Sequence, residues 1–260
     1  MAGFICRAFQ SPPETIWSLK HSMKLDILAI GVHPDDVELG CSGTLMKQID
    51  AGYKVGILDL TKGELGTRGS AKLRLEEVKA ASKILGVTVR ENLGFKDGFF
   101  ANDEKHQLEL IKIIRKYQPT VVITNTKYDR HPDHGRAAQL TYDACFLSGL
   151  PKVETKLKGE KQKAFRPRAL YNYIQAVHTE PHFVVDITKY FDRKQQAILA
   201  YKSQFYNPDS KEAKTFISSP EFLEFVKGRA SHFGVPIGVR YAEAFTVNRI
   251  PGIDDIMKLV

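Results

Sequence analysis

Two short runs hold side chains that could work together chemically: His33-Pro34-Asp35-Asp36 and His131-Pro132-Asp133-His134. Imidazole and carboxylate ligands with one position left for water are the usual form of a catalytic zinc centre, and proline stiffens each loop. One such tripeptide alone reads as an ordinary loop in which Asp35 or Asp36 caps a helix. Two of them, each following a strand-like run, favour a metal site.

Those runs are placed by an alternation of elements. LDILAIGV (25–32) is a nearly continuous apolar run, the pattern of a strand buried on both faces of a parallel sheet. Helical spacing follows over 38–51, then a strand over 54–61, an amphipathic helix over 72–86 ended by Gly86, and a strand over 87–94. A helix over 107–119 and a strand over 120–125 continue the pattern. Further on, 169–177, 183–187 and 240–247 read as strands, and 189–205 and 220–232 as helices. Strand–helix alternation predicts an α/β fold: a Rossmann-like open, mostly parallel sheet with helices on both faces. In such sheets ligands bind beyond the carboxyl ends of the strands. The two His-Pro-Asp runs and the glycine-rich segment Gly63–Gly69 therefore converge on one cleft.

The chain has 260 residues, 43% of them hydrophobic, enough for one well-buried domain, and its formal charge is +8. That charge is unevenly placed. Residues 25–150 carry 17 basic and 17 acidic side chains, whereas 151–168 carry 7 basic and 2 acidic, so the excess is local and argues against a nucleic-acid footprint. The segment 151–168 reads as a basic surface loop. Three cysteines are too few for a disulfide framework and suit a cytoplasmic protein. No apolar run approaches the roughly 20 residues of a membrane span. Residues 1–22 read as an N-terminal extension, disordered or upstream of the true start at Met23, and 23–260 as a single catalytic domain.

The segments IGVHPDDVELGCSGTL, TKGELGTRGS, NLGFKDGF, DRHPDHGRAA and RYAEAF resemble the LmbE-like, or PIG-L, zinc-dependent deacetylases of N-acetylglucosamine units. The resemblance covers about residues 23–250 and is nearest to the bacillithiol-biosynthesis branch, which acts on N-acetylglucosaminyl malate. It implies one zinc ion per chain held by His33, Asp36 and His134, with Asp35 as general base. It also implies that His131 stabilises the oxyanion, with Asp133 orienting His131 and keeping it protonated. Arg68, and more weakly Arg130, would bind a small anionic N-acetylglucosaminide; Glu38, Glu64 and Glu243 are left between supporting and structural roles. A homo-oligomer is expected, with no membrane or nucleic-acid partner.

Other chemistries compete with this one. An amidase of bacillithiol S-conjugates and a general N-acetylglucosamine or chito-oligosaccharide deacetylase would use the same centre. A non-enzymatic nucleotide-binding module is disfavoured, because neither G-x-G-x-x-G nor G-x-x-x-x-G-K-[ST] follows the first strand, and no G-x-S-x-G elbow supports a serine hydrolase. Cys41 reads as packing; His21, His106, His178, His182 and His232 read as ordinary loop or surface histidines. The pair Phe99–Phe100 and the aromatic stretch 201–225 read as core or subunit contact.

Overall fold

A computed structural model describes residues 23–259; the extension expected at 1–22 lies outside the described residues. In chain order the elements are β1 (Ile27–Gly31), α1 (Asp36–Gly40), α2 (Ser42–Asp50), β2 (Val55–Thr61), α3 (Ala71–Leu85), β3 (Val89–Phe95), α4 (Glu104–Tyr117), β4 (Val121–Asn125) and α5 (Pro132–Leu147). They continue with the two-residue strands β5 (Lys156–Leu157) and β6 (Glu160–Lys161), then β7 (Ala169–Tyr173), β8 (Phe183–Asp186), α6 (Phe191–Leu199), α7 (Pro220–Gly234) and β9 (Ala242–Val247).

Seven strands form one sheet in the order β3-β2-β1-β4-β7-β9-β8. Pairing is parallel from β3 through β7, and β9 runs antiparallel to both β7 and β8. The alternation of β1 shows why its sequence is apolar throughout. Leu28 and Ile30 face a core with α4 and α5, built around Leu110, Ile114 and Leu140, while Ile27 and Ala29 face Leu45, Met46, Leu85 and Ala197 on the other side. Each fully buried aliphatic side chain of this kind contributes about 1.5–3 kcal/mol.

Local signals set the helix ends. Ser70 and Asp103 accept from the N–H groups of Leu73 and His106 to cap α3 and α4, and Gly86 ends α3 in the left-handed conformation at φ 77°. The helix expected over 38–51 is broken at Cys41, whose backbone leaves the helical region at φ −146°. The orphaned N–H groups of Gly43 and Thr44, at the start of α2, donate to the Glu243 carboxylate at 2.9 and 2.7 Å. Glu243 is also paired with buried Lys194 at 2.5 Å, so RYAEAF anchors the second helix from across the sheet. The helix expected over 189–205 is shorter, Phe191–Leu199, and the chain turns away before Tyr201.

Candidate active site

The strand order reverses direction between β1 and β4, the switch point where an open sheet leaves a crevice. His33, Asp35 and Asp36 follow β1; His131 and His134 come from the start of α5, after β4. A cleft of about 380 Å³ opens there, walled by these residues with Asp97, Arg68, Arg74, Arg130 and Phe216.

Asp36 is the fixed point. Its Oδ2 accepts from the backbone N–H groups of Val32 (3.0 Å) and His33 (2.9 Å) and from Asn125 Nδ2 (3.3 Å), and its Oδ1 accepts from Gln175 Nε2 (2.9 Å). Oδ1 lies 3.2 Å from His134 Nε2, and Oδ2 lies 3.6 Å from His33 Nδ1. Each histidine is held at its other nitrogen by a second carboxylate: His33 Nε2 by Asp97 Oδ1 at 2.9 Å and His134 Nδ1 by Asp129 Oδ2 at 2.6 Å. Asp97 is in turn fixed by Leu65 N–H and, through its own N–H, by Glu64; Asp129 accepts from the N–H groups of Ala176 and Val177. Carboxylates on the far side of ligating imidazoles set ring orientation and raise basicity.

This donor set fits zinc. Ligand atoms around a tetrahedral ion with bonds of ~2.0–2.2 Å stand about 3.3–3.6 Å apart, and the Asp36 carboxylate comes close to that spacing from each histidine, 3.6 Å from His33 and 3.2 Å from His134, through its two oxygens. Ring nitrogens of His33, His131 and His134 also lie within 4.8 Å of one another, as do ligand atoms of His33, Asp97 and Asp133. A set with Asp36 is favoured because Asp36 touches both His33 and His134, while Asp97 is already engaged as the outer partner of His33. Charge points the same way. Burial would lower the His33 and His134 pKa values, yet Asp36 with Asp97 raises His33 to about 10 and Asp36 with Asp129 raises His134 to about 9. Against its own burial, Asp36 is held well below the usual carboxylate range by His134 and His33.

Asp35 behaves differently from its neighbour. It occupies the N-cap position of α1 but makes no capping bond, and its side chain forms no hydrogen bond among the described residues. Its backbone is held at φ 129°, where a non-glycine residue is strained. Burial pushes its carboxyl up to about 7, with Arg74 pulling down and Asp36 pushing up. A carboxyl poised near neutrality, facing a cleft, suits proton transfer.

His131 caps α5, its Nδ1 accepting from the Asp133 N–H at 3.3 Å. That bond places the ring proton of the neutral form on Nε2. The Asp133 side chain has partners of its own. Its carboxylate accepts from Gly98 N–H at 2.8 Å and pairs with Arg136, and burial with the nearby His33 and His134 lowers the His131 pKa despite the charge of Asp133. With Nδ1 so engaged, the neutral form of His131 presents an Nε2–H donor.

Arg68 lines the cleft and is also tied back into the fold. Its Nε donates to Ser203 O at 2.8 Å and its Nη2 to Ser210 Oγ at 2.7 Å, so it ties the glycine-rich loop to the segment leading to Phe216. The guanidinium left over is Arg74, which is buried, lines the cleft and has no side-chain hydrogen bond among the described residues. The glycines serve it: a Cβ on Gly63 would sit 2.0 Å from Arg74 Nη1, and one on Gly66 3.0 Å from Nη2. Arg130 lies over the Phe216 ring, 4.7 Å from its centroid, at the cleft wall. Glu38 is buried against Arg90 and Tyr201 beneath the cleft. The aromatic pair divides, with Phe100 in the core and Phe99 69% exposed. Cys41 and Cys145 are buried free thiols, and His178 stacks on Phe233 away from the cleft.

The family model described as GlcNAc-PI de-N-acetylase, PIG-L, matches residues 28–145. Diacetylchitobiose deacetylase of Thermococcus kodakarensis is 30% identical over 237 residues, covering 87% of this chain and 84% of the relative. The chain belongs to the PIG-L family. The family places it in the deacetylase class of hydrolases. Another PIG-L-type relative, the probable N-acetyl-alpha-D-glucosaminyl L-malate deacetylase 2 of Bacillus anthracis, is 27% identical over 69% of this chain and 81% of its own length. Among solved structures, a conserved protein of Thermus thermophilus superposes with a TM-score of 0.78 at 39% identity, covering 89% of this chain and 98% of the other. No helix among the described residues is long and apolar enough to cross a membrane.

Proposed function

We propose that this PIG-L protein is a zinc-dependent N-deacetylase of small N-acetylglucosaminides, hydrolysing the acetamide to acetate and a free amine. The observation that carries this reading is the Asp36 carboxylate set 3.6 Å from His33 and 3.2 Å from His134, beside Asp35, an acid with no hydrogen-bond partner of its own among the described residues. His33, Asp36 and His134 would hold the ion, which when bound lowers the pKa of water toward ~7 and polarises the acetyl carbonyl.

The chain's own groups supply the rest. Asp35 takes the proton from the attacking water as the C–O bond forms. The Nε2–H of His131 donates to the acetyl oxygen as that oxygen gains charge, an interaction stronger in the transition state than in the substrate. Asp35 then returns its proton to the amine nitrogen as the C–N bond breaks. A group with a pKa of about 7 can do both at neutral pH. Arg74, on the wall near Asp35, is placed to bind the sugar hydroxyls or an anionic substituent.

For the aglycone, the exposed Phe216 ring on the cleft wall supports a second sugar ring, in line with the coverage of the diacetylchitobiose relative. Arg130, which forms no ion pair among the described residues, supports a second reading, N-acetylglucosaminyl malate, through a carboxylate contact. Acetate release from N,N'-diacetylchitobiose, N-acetylglucosaminyl malate and N-acetylglucosamine, measured on zinc-loaded and chelator-treated protein, tests both levels. Full activity after chelation overturns the metal mechanism; equal kcat/KM on all three substrates removes the aglycone assignment.

A further inference from the structure

The end of the sheet opposite the catalytic cleft holds a second cavity, of about 230 Å³. It lies where β7 begins and β9 ends, because Ala169 opens β7 and the antiparallel pairing sets Val247 beside Tyr171. Three exposed arginines line it, Arg166, Arg168 and Arg249, and among the described residues no acidic side chain does. Among the described residues none of the three forms an ion pair. Two of them are oriented by neutral acceptors that leave their charge uncompensated. Arg166 donates from Nε and Nη2 to Phe146 O at 3.2 and 2.8 Å, and Arg249 donates from Nη2 to Arg168 O at 3.1 Å.

Their seating is specific. The Arg166 guanidinium lies 4.3 Å from the centroid of the Phe146 ring, and a Cβ on Gly149 would come within 2.5 Å of Arg166 Nε, so only glycine leaves room for it there. Tyr142 and Phe146 present partly exposed rings on the same wall. Guanidinium groups lining one pocket without an acidic partner there match an oxyanion able to accept several N–H donors at once. Flat aromatic faces beside it suit a planar or apolar body attached to that oxyanion. This placement also accounts for part of the local basic excess of 151–168, since Arg166 and Arg168 belong to that segment.

We infer that this pocket, formed by Arg166, Arg168 and Arg249 with Tyr142 and Phe146, is a second ligand site that binds a small phosphomonoester.

The test is calorimetric titration of the full-length protein with inorganic phosphate, AMP and glucose 6-phosphate. One saturable site is expected, and the double substitution Arg168→Ala/Arg249→Ala should weaken it at least tenfold while acetate release stays unchanged. Arg168→Lys/Arg249→Lys, which keeps the charge, should weaken it less and guards against a folding defect. Tighter binding of AMP than of glucose 6-phosphate supports a base on the aromatic wall, and the reverse supports a sugar. Failure of all three probes to saturate overturns the inference. So does binding that the alanine pair leaves unchanged, or binding displaced by the deacetylase substrate.

Discussion

Replacing Asp35 by Asn should stabilise the metal-free protein in a pH-dependent way while abolishing turnover. In the folded chain burial raises the Asp35 pKa from 3.8 to about 7. An acid whose folded pKa is raised binds its proton more tightly folded than unfolded, so it favours folding below pH 3.8 and loses that advantage as pH rises toward 7. Above pH 7 the penalty levels off at about 4 kcal/mol, because each tenfold change in proton affinity is worth ~1.4 kcal/mol. At pH 5 only about 1.7 kcal/mol of it is present. Asn keeps the shape without the ionisation, so Asp35→Asn should gain roughly 2–3 kcal/mol more at pH 8 than at pH 5. Urea unfolding of both metal-free proteins at the two pH values measures this directly, with similar m-values as the check on two-state behaviour. A difference that does not change with pH means Asp35 is ionised without cost, and the basis for its role as base is lost. With zinc bound the nearby positive charge should shrink the gain.

Other outcomes follow from the same geometry. With metal-free His33 at about 10 and His134 at about 9, zinc loading at pH 7 should release about two protons, seen by calorimetry in buffers of different ionisation heat; release near zero removes these histidines as ligands. Asp97→Asn and Asp129→Asn should each weaken zinc affinity ~10–100-fold in competition with a chromophoric chelator, and unchanged affinity would deny them their orienting role. Arg68→Ala should lower stability by about 1–3 kcal/mol through its lost bonds to Ser203 and Ser210. Arg74→Ala should instead keep the melting temperature within a few degrees and cut kcat/KM by on the order of 10²; if Arg68→Ala gives the larger kinetic defect at unchanged stability, this division of roles between the two arginines fails. Phe216→Ala should reduce kcat/KM on diacetylchitobiose about tenfold and leave N-acetylglucosamine unaffected, and an equal loss on both would move Phe216 out of the aglycone site.

The parallel sheet was legible because buried strands such as 25–32 are apolar on both faces, and the gathering of the two His-Pro-Asp runs at one cleft because both follow strands of that sheet. What escaped was set by three-dimensional phase. Arg74 shares the buried stripe of α3 with Glu77, Ala81 and Leu85, at offsets of three, seven and eleven. A cation on the inward stripe of an amphipathic helix is the signal that marks Arg74, whereas Arg68 is singled out by the family resemblance of its glycine-rich loop. Asp97 and Asp129 lie within the quoted segments NLGFKDGF and DRHPDHGRAA, but aspartates are common in such loops and nothing local marks the two that meet a histidine. The helix start just after the break at Cys41 is capped by Glu243, 200 residues beyond Gly43, so no local pattern could foretell it.

That long-range tie bears on how the protein is made. All three proposed zinc ligands have emerged from a ribosome once residue 134 has, yet Gln175 is needed to hold Asp36, and Ala176 and Val177 to hold Asp129. The helix after the first metal loop waits longer still, for Glu243 near the end of synthesis. The proposed metal loops therefore gain their full set of hydrogen bonds only in the last third of synthesis, so under this proposal an ion is expected to be captured late in the chain's biogenesis.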